Sequence, residues 1–441
     1  MENAYQKNIS YLFVPLTTED LEQFSAFRKG ITKAHGWLPA GIENRYLHRY
    51  VLEQLSKDGE DSCSCFRLQE DYAREHGLQL GAKWYSTGEK KFKGTKIPGF
   101  HFTISDVFLF TFDTPLCILA FELGFREDDP LYVASAQYYL RKINAEKIYF
   151  CQGAEQGLGE NFAEISSRLL QNCAPEIKLD LFFYATRDNE KANFLTYVDV
   201  PAQDDYEKEL FYLKWCYSDR FDYCTDLDDA SENYRASMNT QWGITVSSAV
   251  CLVNRSEEQS AFIQEKFQKN FKTQYLLLYV LLLHQKYMMY LFLTKMAAGL
   301  SGNVAQLEKY KTMLYDFETH YMISYVSEVP QYQKLYAKVR KAFALEEMFR
   351  GVQEPLLQLA DIKKQKTERE ERESDNRVNT SLTILSFLTI ISALTDASGI
   401  TANLEWLIPA RIAQYIQLGA LAVVVGVSIL MFVRLIRSKK R

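Results

Sequence analysis

Two uncharged runs near the C-terminus restrict this chain more than any other feature. Between Arg377 and Asp396 lie 18 residues without a charge, Val378 to Thr395, and between Arg411 and Arg434 lie 22 more, Ile412 to Val433. As helices they reach about 27 and 33 Å, against a hydrocarbon core of about 30 Å. A pair of core helices in a water-soluble domain is the competing reading. Against it stand the polybasic tail directly after the second run and the hydrophilic stretch directly before the first. The pattern predicts a transmembrane hairpin with spans at about 378–396 and 412–433.

Orientation follows from positive charge near the membrane ends. Lys363, Lys364, Lys366, Arg369, Arg372 and Arg377 precede the first run, and Arg434, Arg437, Lys439, Lys440 and Arg441 follow the second. The connecting segment, Asp396 to Arg411, carries only Arg411. Both termini are therefore expected on the cytoplasmic side of a cell inner (plasma) membrane crossed twice. The long segment before the hairpin is then cytosolic, which agrees with eight cysteines (Cys63, Cys65, Cys117, Cys151, Cys173, Cys216, Cys224, Cys251) that show no framework spacing and follow no secretory signal. Reduced thiols are expected.

At 47% hydrophobic and 24% charged residues, the bulk of the 441-residue chain is globular rather than disordered or fibrous. A net charge of -5 speaks against a generic nucleic-acid surface. Over 1–250, strand-like runs (Tyr11–Leu16, Phe100–Ile104, Val107–Phe112, Cys117–Phe121, Lys178–Tyr184, Phe194–Val200) alternate with helical stretches at Leu131–Ile143 and Phe162–Asn172, predicting a cytosolic α/β domain. Asp129 and Pro130 suit the N-cap and first turn of the former helix. From Glu257 strand signals vanish, and 251–376 reads as a helical region and stalk before the hairpin at 377–441. The apolar run Tyr275 to Leu283 is too short between Lys272 and Lys286 to span, and reads as a buried helix. After Pro330, Leu335, Val339, Ala342, Phe349, Val352, Leu356 and Leu359 recur at three-four spacing, with Pro355 expected to kink or restart the helix.

Nothing in the sequence has the pattern of catalysis. The six histidines form no metal-ligand spacing, Cys63 and Cys65 have no second pair and read as a surface loop, and Gly153, Gly157 and Gly159 lack a phosphate loop's Lys and Ser/Thr. Function is legible only in the spans. Asn379, Thr383 and Ser386 fall at i, i+4 and i+7 on one helix face, continued by Ile390, Ala393 and Ala397, and repeated around a symmetry axis they would line a narrow conduit. The competing reading is that the hydroxyls bond back to their own helix or to neighbouring helices. In the second run Gly419, Ala422 and Gly426 make a small face for close helix packing.

A long N-terminal domain, a stalk helix leading into the first span, a short outer loop and a second span ending in a basic tail together resemble the CorA family of two-helix metal ion transporters. The segments Tyr279–Gln285 (YVLLLHQ), Leu382–Thr395 (LTILSFLTIISALT) and Gln241–Ala249 (QWGITVSSA) are similar to that family's helical region, first span and strand-to-helix transition. The resemblance implies a homopentameric funnel with first spans around the pore, passing a divalent cation such as magnesium. Magnesium-transporting members carry Gly-Met-Asn at the outer end of the first span; here the sequence reads Ala397, Ser398, Gly399, Ile400, so the group that would hold a hydrated cation is missing. The departure, with a large domain rich in Tyr and Phe, also resembles a CorA-like branch encoded beside type III CRISPR systems. That alternative implies a membrane effector gated by a nucleotide second messenger.

Asp396 is the acidic residue at the outer end of the first run, and around a fivefold axis it would form a carboxylate ring at the pore mouth. Asp396→Asn is then expected to lower cation conductance most at low ionic strength, where charge is least screened. Unchanged conductance and selectivity in planar bilayers would reduce Asp396 to a helix terminus.

Overall fold

A computed structural model describes residues 6–18, 21–41, 45–55, 64–152, 155–156, 159–171, 173, 191–201, 205–224, 233–255, 262, 266–297, 304–403, 412, 415, 418–419, 422–423 and 426. The chain divides into two compact units, Met1–Leu357 and Gln358–Arg441. The strands are β1 (Asn8–Thr17), β2 (Trp37–Pro39), β3 (Ser64–Leu68), β4 (Lys83–Ser86), β5 (Lys90–Phe92), β6 (Thr95–Ile97), β7 (His101–Thr111), β8 (Leu116–Phe125), β9 (Ile148–Gln152), β10 (Glu155–Gln156), β11 (Asn193–Pro201), β12 (Asn233–Ser237), β13 (Thr240–Ile244) and β14 (Ser248–Arg255). The helices are α1 (Leu21–Lys33), α2 (Arg49–Leu55), α3 (Glu70–Glu75), α4 (Pro130–Leu140), α5 (Phe162–Gln171), α6 (Glu207–Trp215), α7 (Leu276–Ala297), α8 (Val304–Tyr321), α9 (Pro330–Ala342) and α10 (Leu345–Asn403). The protein is thus a mixed α/β chain, a sheet domain followed by long helices.

One 12-stranded sheet organises the first unit, in the order β10-β9-β4-β7-β8-β1-β11-β14-β13-β12, with β3 pairing β7 and β2 pairing β3. Among the described residues its pairings are antiparallel except β11 with β14. β1 lies near the middle and buries all ten of its residues. Alternation sends Ile9, Tyr11 and Phe13 to one face and Leu12, Val14 and Leu16 to the other. The second face is covered by residues of α1, α4, α5 and α6, such as Phe24, Val133, Ile165 and Leu210; the first is covered by α7 and the helices after it. Asp129 caps α4 as its sequence suggests, accepting from the Leu131 N–H beside Pro130. Two expected runs merge into β7, which bulges between Ile104 and Asp106. Lys178–Tyr184 lies outside the described residues.

A turn of helix over Gln268–Asn270 and a π-helical turn over Phe271–Tyr275 lead into α7. Gln268–Met296 is long and apolar enough to cross a membrane, and 89% of its apolar window is buried inside the protein, so it is a core helix. Phe13 meets Tyr279 at 5.4 Å from the sheet side, and Trp242 meets Tyr275 at 5.0 Å. Phe317 and Tyr321 of α8, and Tyr332 and Tyr336 of α9, belong to the same core. A helix apolar on every side is stable only when wrapped in this way.

Three consecutive polar residues interrupt it, and steps of about 100° aim them in three directions. His284 stacks on Phe112 at 3.8 Å and its Nε2 lies 2.7 Å from the Thr114 hydroxyl; burial holds its pKa well below the usual value, so the ring is neutral. Gln285 donates to the Tyr321 carbonyl (2.5 Å) and the Tyr336 hydroxyl (2.9 Å). Lys286 donates to the Val246 carbonyl (2.8 Å) and Asn193 Oδ1 (3.2 Å), with its ammonium 4.6 Å over the Phe343 ring.

Three readings are corrected. Cys65 is not in a surface loop: it sits in β3, 8% exposed, with burial pushing its thiol far up; Cys63 lies outside the described residues. The seam after Pro330 is broken at Ala344, whose φ of +51° ends α9 in the left-handed region. Burial of Phe343 and Leu345 on either side outweighs a cost of about 1–2 kcal/mol. Pro355, conversely, neither ends nor restarts α10, because Phe349, Val352, Leu356 and Ala360 are buried on both sides of it.

Burial and neighbouring Arg141 lower the Lys286 pKa to about 7 from 10.5. Between these values the unfolded chain holds a proton that the folded chain lacks, so stability rises as pH increases through this window, by up to about 5 kcal/mol. Thermal melts of the full chain are expected to show this rise, and Lys286→Met to flatten it while stabilising the protein below pH 7. An unchanged pH profile in the variant would place the titration elsewhere.

Candidate functional site

In the second unit α10 carries the residues that the sequence singles out. Val378, Leu382, Ile384, Leu385 and Leu388 are each 54–59% exposed. At 100° per residue they cover an arc of about 160°, which also holds Ser381 and Thr389, while Asn379, Thr383 and Ser386 occupy an arc of about 60° nearly opposite, shared with Ile390. The chain therefore brings the three polar residues to one strip and leaves a broad apolar arc without cover of its own. Thr383 donates its hydroxyl to the Asn379 carbonyl at 2.7 Å, as Thr380 does to Asn376 (2.7 Å) and Thr389 to Leu385 (2.8 Å). These hydroxyl protons are held by their own helix, which leaves the Asn379 carboxamide as the strip's strongest outward-facing polar group.

Asp396 lies within α10, which continues past it to Asn403; its side chain is outside the described residues. Gly419, Ala422 and Gly426 are helical and exposed, and a Cβ added at either glycine meets nothing within 4 Å. The small face of the second run thus has no close neighbour in this chain among the described residues.

A second feature, in the first unit, escaped the sequence reading. A cleft of about 570 Å³ opens where the helix leading into α7 passes the start of α9. Lys266, Lys269, Asn270, Thr273 and Gln274 line it at three-four spacing, a polar face just before an apolar run; that spacing is the signal that would have found it. Arg45 and Tyr46 close it from the segment before α2, and Gln331 and Tyr332 from the start of α9. Among the described residues its lining includes three cations, of which Arg45 and Lys269 have interaction partners. Tyr46 stacks on Tyr332 at 5.5 Å with 24° between the rings, and Tyr332 in turn packs on Tyr275 at 4.8 Å. Burial pushes the Tyr332 hydroxyl up to about 12. Cationic, carboxamide and aromatic side chains thus share one wall.

No group of His, Cys, Asp and Glu among the described residues could hold a metal ion. No protein-family model matches this chain, and no curated protein or solved structure does either.

An apolar arc of this breadth requires an apolar environment. Leu385→Lys introduces about 2.5–3.5 kcal/mol against insertion at a span centre. The variant is expected to be released from membranes by alkaline carbonate while the wild-type chain is retained. Equal release of both would mean that the arc is covered by protein.

Proposed function

We propose that the chain is the subunit of a CorA-like, homo-oligomeric cation channel, with the first unit cytosolic and the two C-terminal runs spanning the plasma membrane as a hairpin. The exposed apolar arc of α10, set opposite the strip of Asn379, Thr383 and Ser386, carries this reading. Lipid and neighbouring helices satisfy the arc, and the strip then faces an axis shared by several copies. Two helices per chain cannot enclose a pore, so copies are needed; five is the number the CorA resemblance implies. The missing Gly-Met-Asn argues for a cation handled without magnesium's family entrance motif.

The cationic cleft favours a second reading of how such a channel is used: a membrane effector gated by a nucleotide second messenger bound to the first unit, as the resemblance to the CRISPR-associated branch implies. The two readings are compatible, one describing the pore and the other its control.

Purified protein reconstituted in liposomes is expected to pass monovalent or divalent cations and to run as a homo-oligomer in native mass spectrometry. Asn379→Leu should cut the flux at least tenfold. Thr383→Val, which removes a hydroxyl already committed to its own helix, should stay within about threefold of wild type. A monomer in mild detergent, or no flux with any cation in the presence or absence of nucleotides, would reject the channel.

A further inference from the structure

We propose that Lys286 is a proton-operated latch on the junction between α9 and α10: uncharged, it holds the junction closed, and protonated, it releases it. The side chain is 4% exposed and reaches three separate elements. Its Nζ donates to the Val246 carbonyl (2.8 Å) in the turn between β13 and β14 and to Asn193 Oδ1 (3.2 Å) at the start of β11. It also lies 4.6 Å from the centre of the ring of Phe343, the residue that caps α9. Asn193 donates to the Val246 carbonyl (2.9 Å) and accepts from the Tyr287 hydroxyl (2.8 Å), so both acceptors of the amine are fixed in place.

Phe343 is followed by Ala344, whose φ is +51°, and α10 begins at the next residue. A left-handed alanine is held by its surroundings rather than by its own preference. Phe343, itself 2% exposed, is the part of those surroundings that Lys286 touches. On the solvent side Arg340 and Glu346 lie 3.8 Å apart across the same junction, but the Glu346 side chain is 59% exposed, and a pair so open to water is a weak tie.

The two protonation states make different demands on this site. A neutral amine has two N–H donors, which match the two acceptors. An ammonium has three, and among the described residues the amine has no acceptor beyond Val246 and Asn193. Charge widens the mismatch. The ionisable groups that face Lys286 are Arg141 at the end of α4 and the phenols of Tyr287 and Tyr290 on α7 itself; among the described residues β11, the β13–β14 turn and α9 present no carboxylate to it. Arg141 donates to Ser247 Oγ at 2.9 Å, beside Val246, so two cations are drawn to one turn. Lys142 and Arg141 in turn act on Lys191, which adds to the positive field. The Phe343 ring face offsets part of the cost of an ammonium. Burial and Arg141 outweigh it and bring the pKa to about 7, so both states are populated near neutral pH. A buried ammonium without a counter-ion is relieved by water. Hydrating it displaces the ring that covers it, and with the ring goes the support of Ala344.

Hydrogen exchange of the full chain in detergent, read by mass spectrometry at about pH 6 and about pH 8.5, tests the latch on either side of its transition. After correction for the chemical exchange rate, the amides from Phe343 to Phe349 are expected to be about tenfold less protected at the lower pH, while those of β1 are unchanged. Lys286→Met, which carries no charge at either pH, should keep the junction protected at both. Arg141→Gln, which removes the neighbouring cation, should move the midpoint of the loss to higher pH. Melting temperatures measured alongside establish that each variant folds. Equal protection at both pH values in the wild-type chain overturns the latch. A loss in Lys286→Met as large as in wild type also overturns it, by assigning the release to another group. Should Lys286→Met fail to fold, the Arg141→Gln midpoint decides alone: a midpoint that does not move rejects Lys286 as the titrating group.

Discussion

The arrangement of the first unit depends on one requirement: α7 is apolar around its whole circumference and has to be enclosed. A two-layer fold would leave half of such a helix in water. The sheet provides one wall through the odd-numbered residues of β1 and their neighbours, and α8, α9 and the first turns of α10 provide the rest. The polar triplet His284, Gln285 and Lys286 then decides the helix's rotation and depth. Each finds its partners on a different element, and a shift of one residue would strand three buried polar groups at once. Lys286 is held without a carboxylate ion pair among the described residues, so position is bought at some expense of stability.

The same helix explains the placement of the cleft. Upstream of Tyr275 the chain emerges from the core, and the residues that face outward there are cationic and amide-bearing, whereas from Leu276 to Met289 every face is enclosed. The π-helical turn marks this change of environment. At the other end of the chain α10 undergoes a comparable change. Its first turns bury Phe349, Val352 and Leu356, a charged stretch follows, and beyond Arg377 large aliphatic side chains stand exposed opposite a polar strip.

Much of the architecture was legible from local pattern. Apolar, aromatic-rich runs located β1, β8 and β11, and the Asp129-Pro130 pair located the start of α4; the core helix α7, expected from a run too short to span, is in fact long and apolar enough to cross a membrane, and burial is what distinguishes it. The misses share a cause. Ala344 has no residue-type signal for a left-handed conformation, and Pro355 has a strong signal for a break that does not occur; at both positions the burial of flanking side chains outweighed local preference. Cys65 was misread because β3 is a short strand whose register is set by β7, a partner distant in sequence.

By itself the sequence determined the strands β1, β7, β8 and β11, the helices α4 and α5, the buried run that became α7 and the polar strip of Asn379, Thr383 and Ser386, because each follows from residue pattern along one segment. Tertiary structure alone decided the sheet order, the partners of His284, Gln285 and Lys286, and the cleft that gathers Arg45, Lys266 and Gln331 from three separate segments. The physical reason is range: periodicity and capping act over a few residues, whereas a site assembled from distant segments exists only after the core has brought them together.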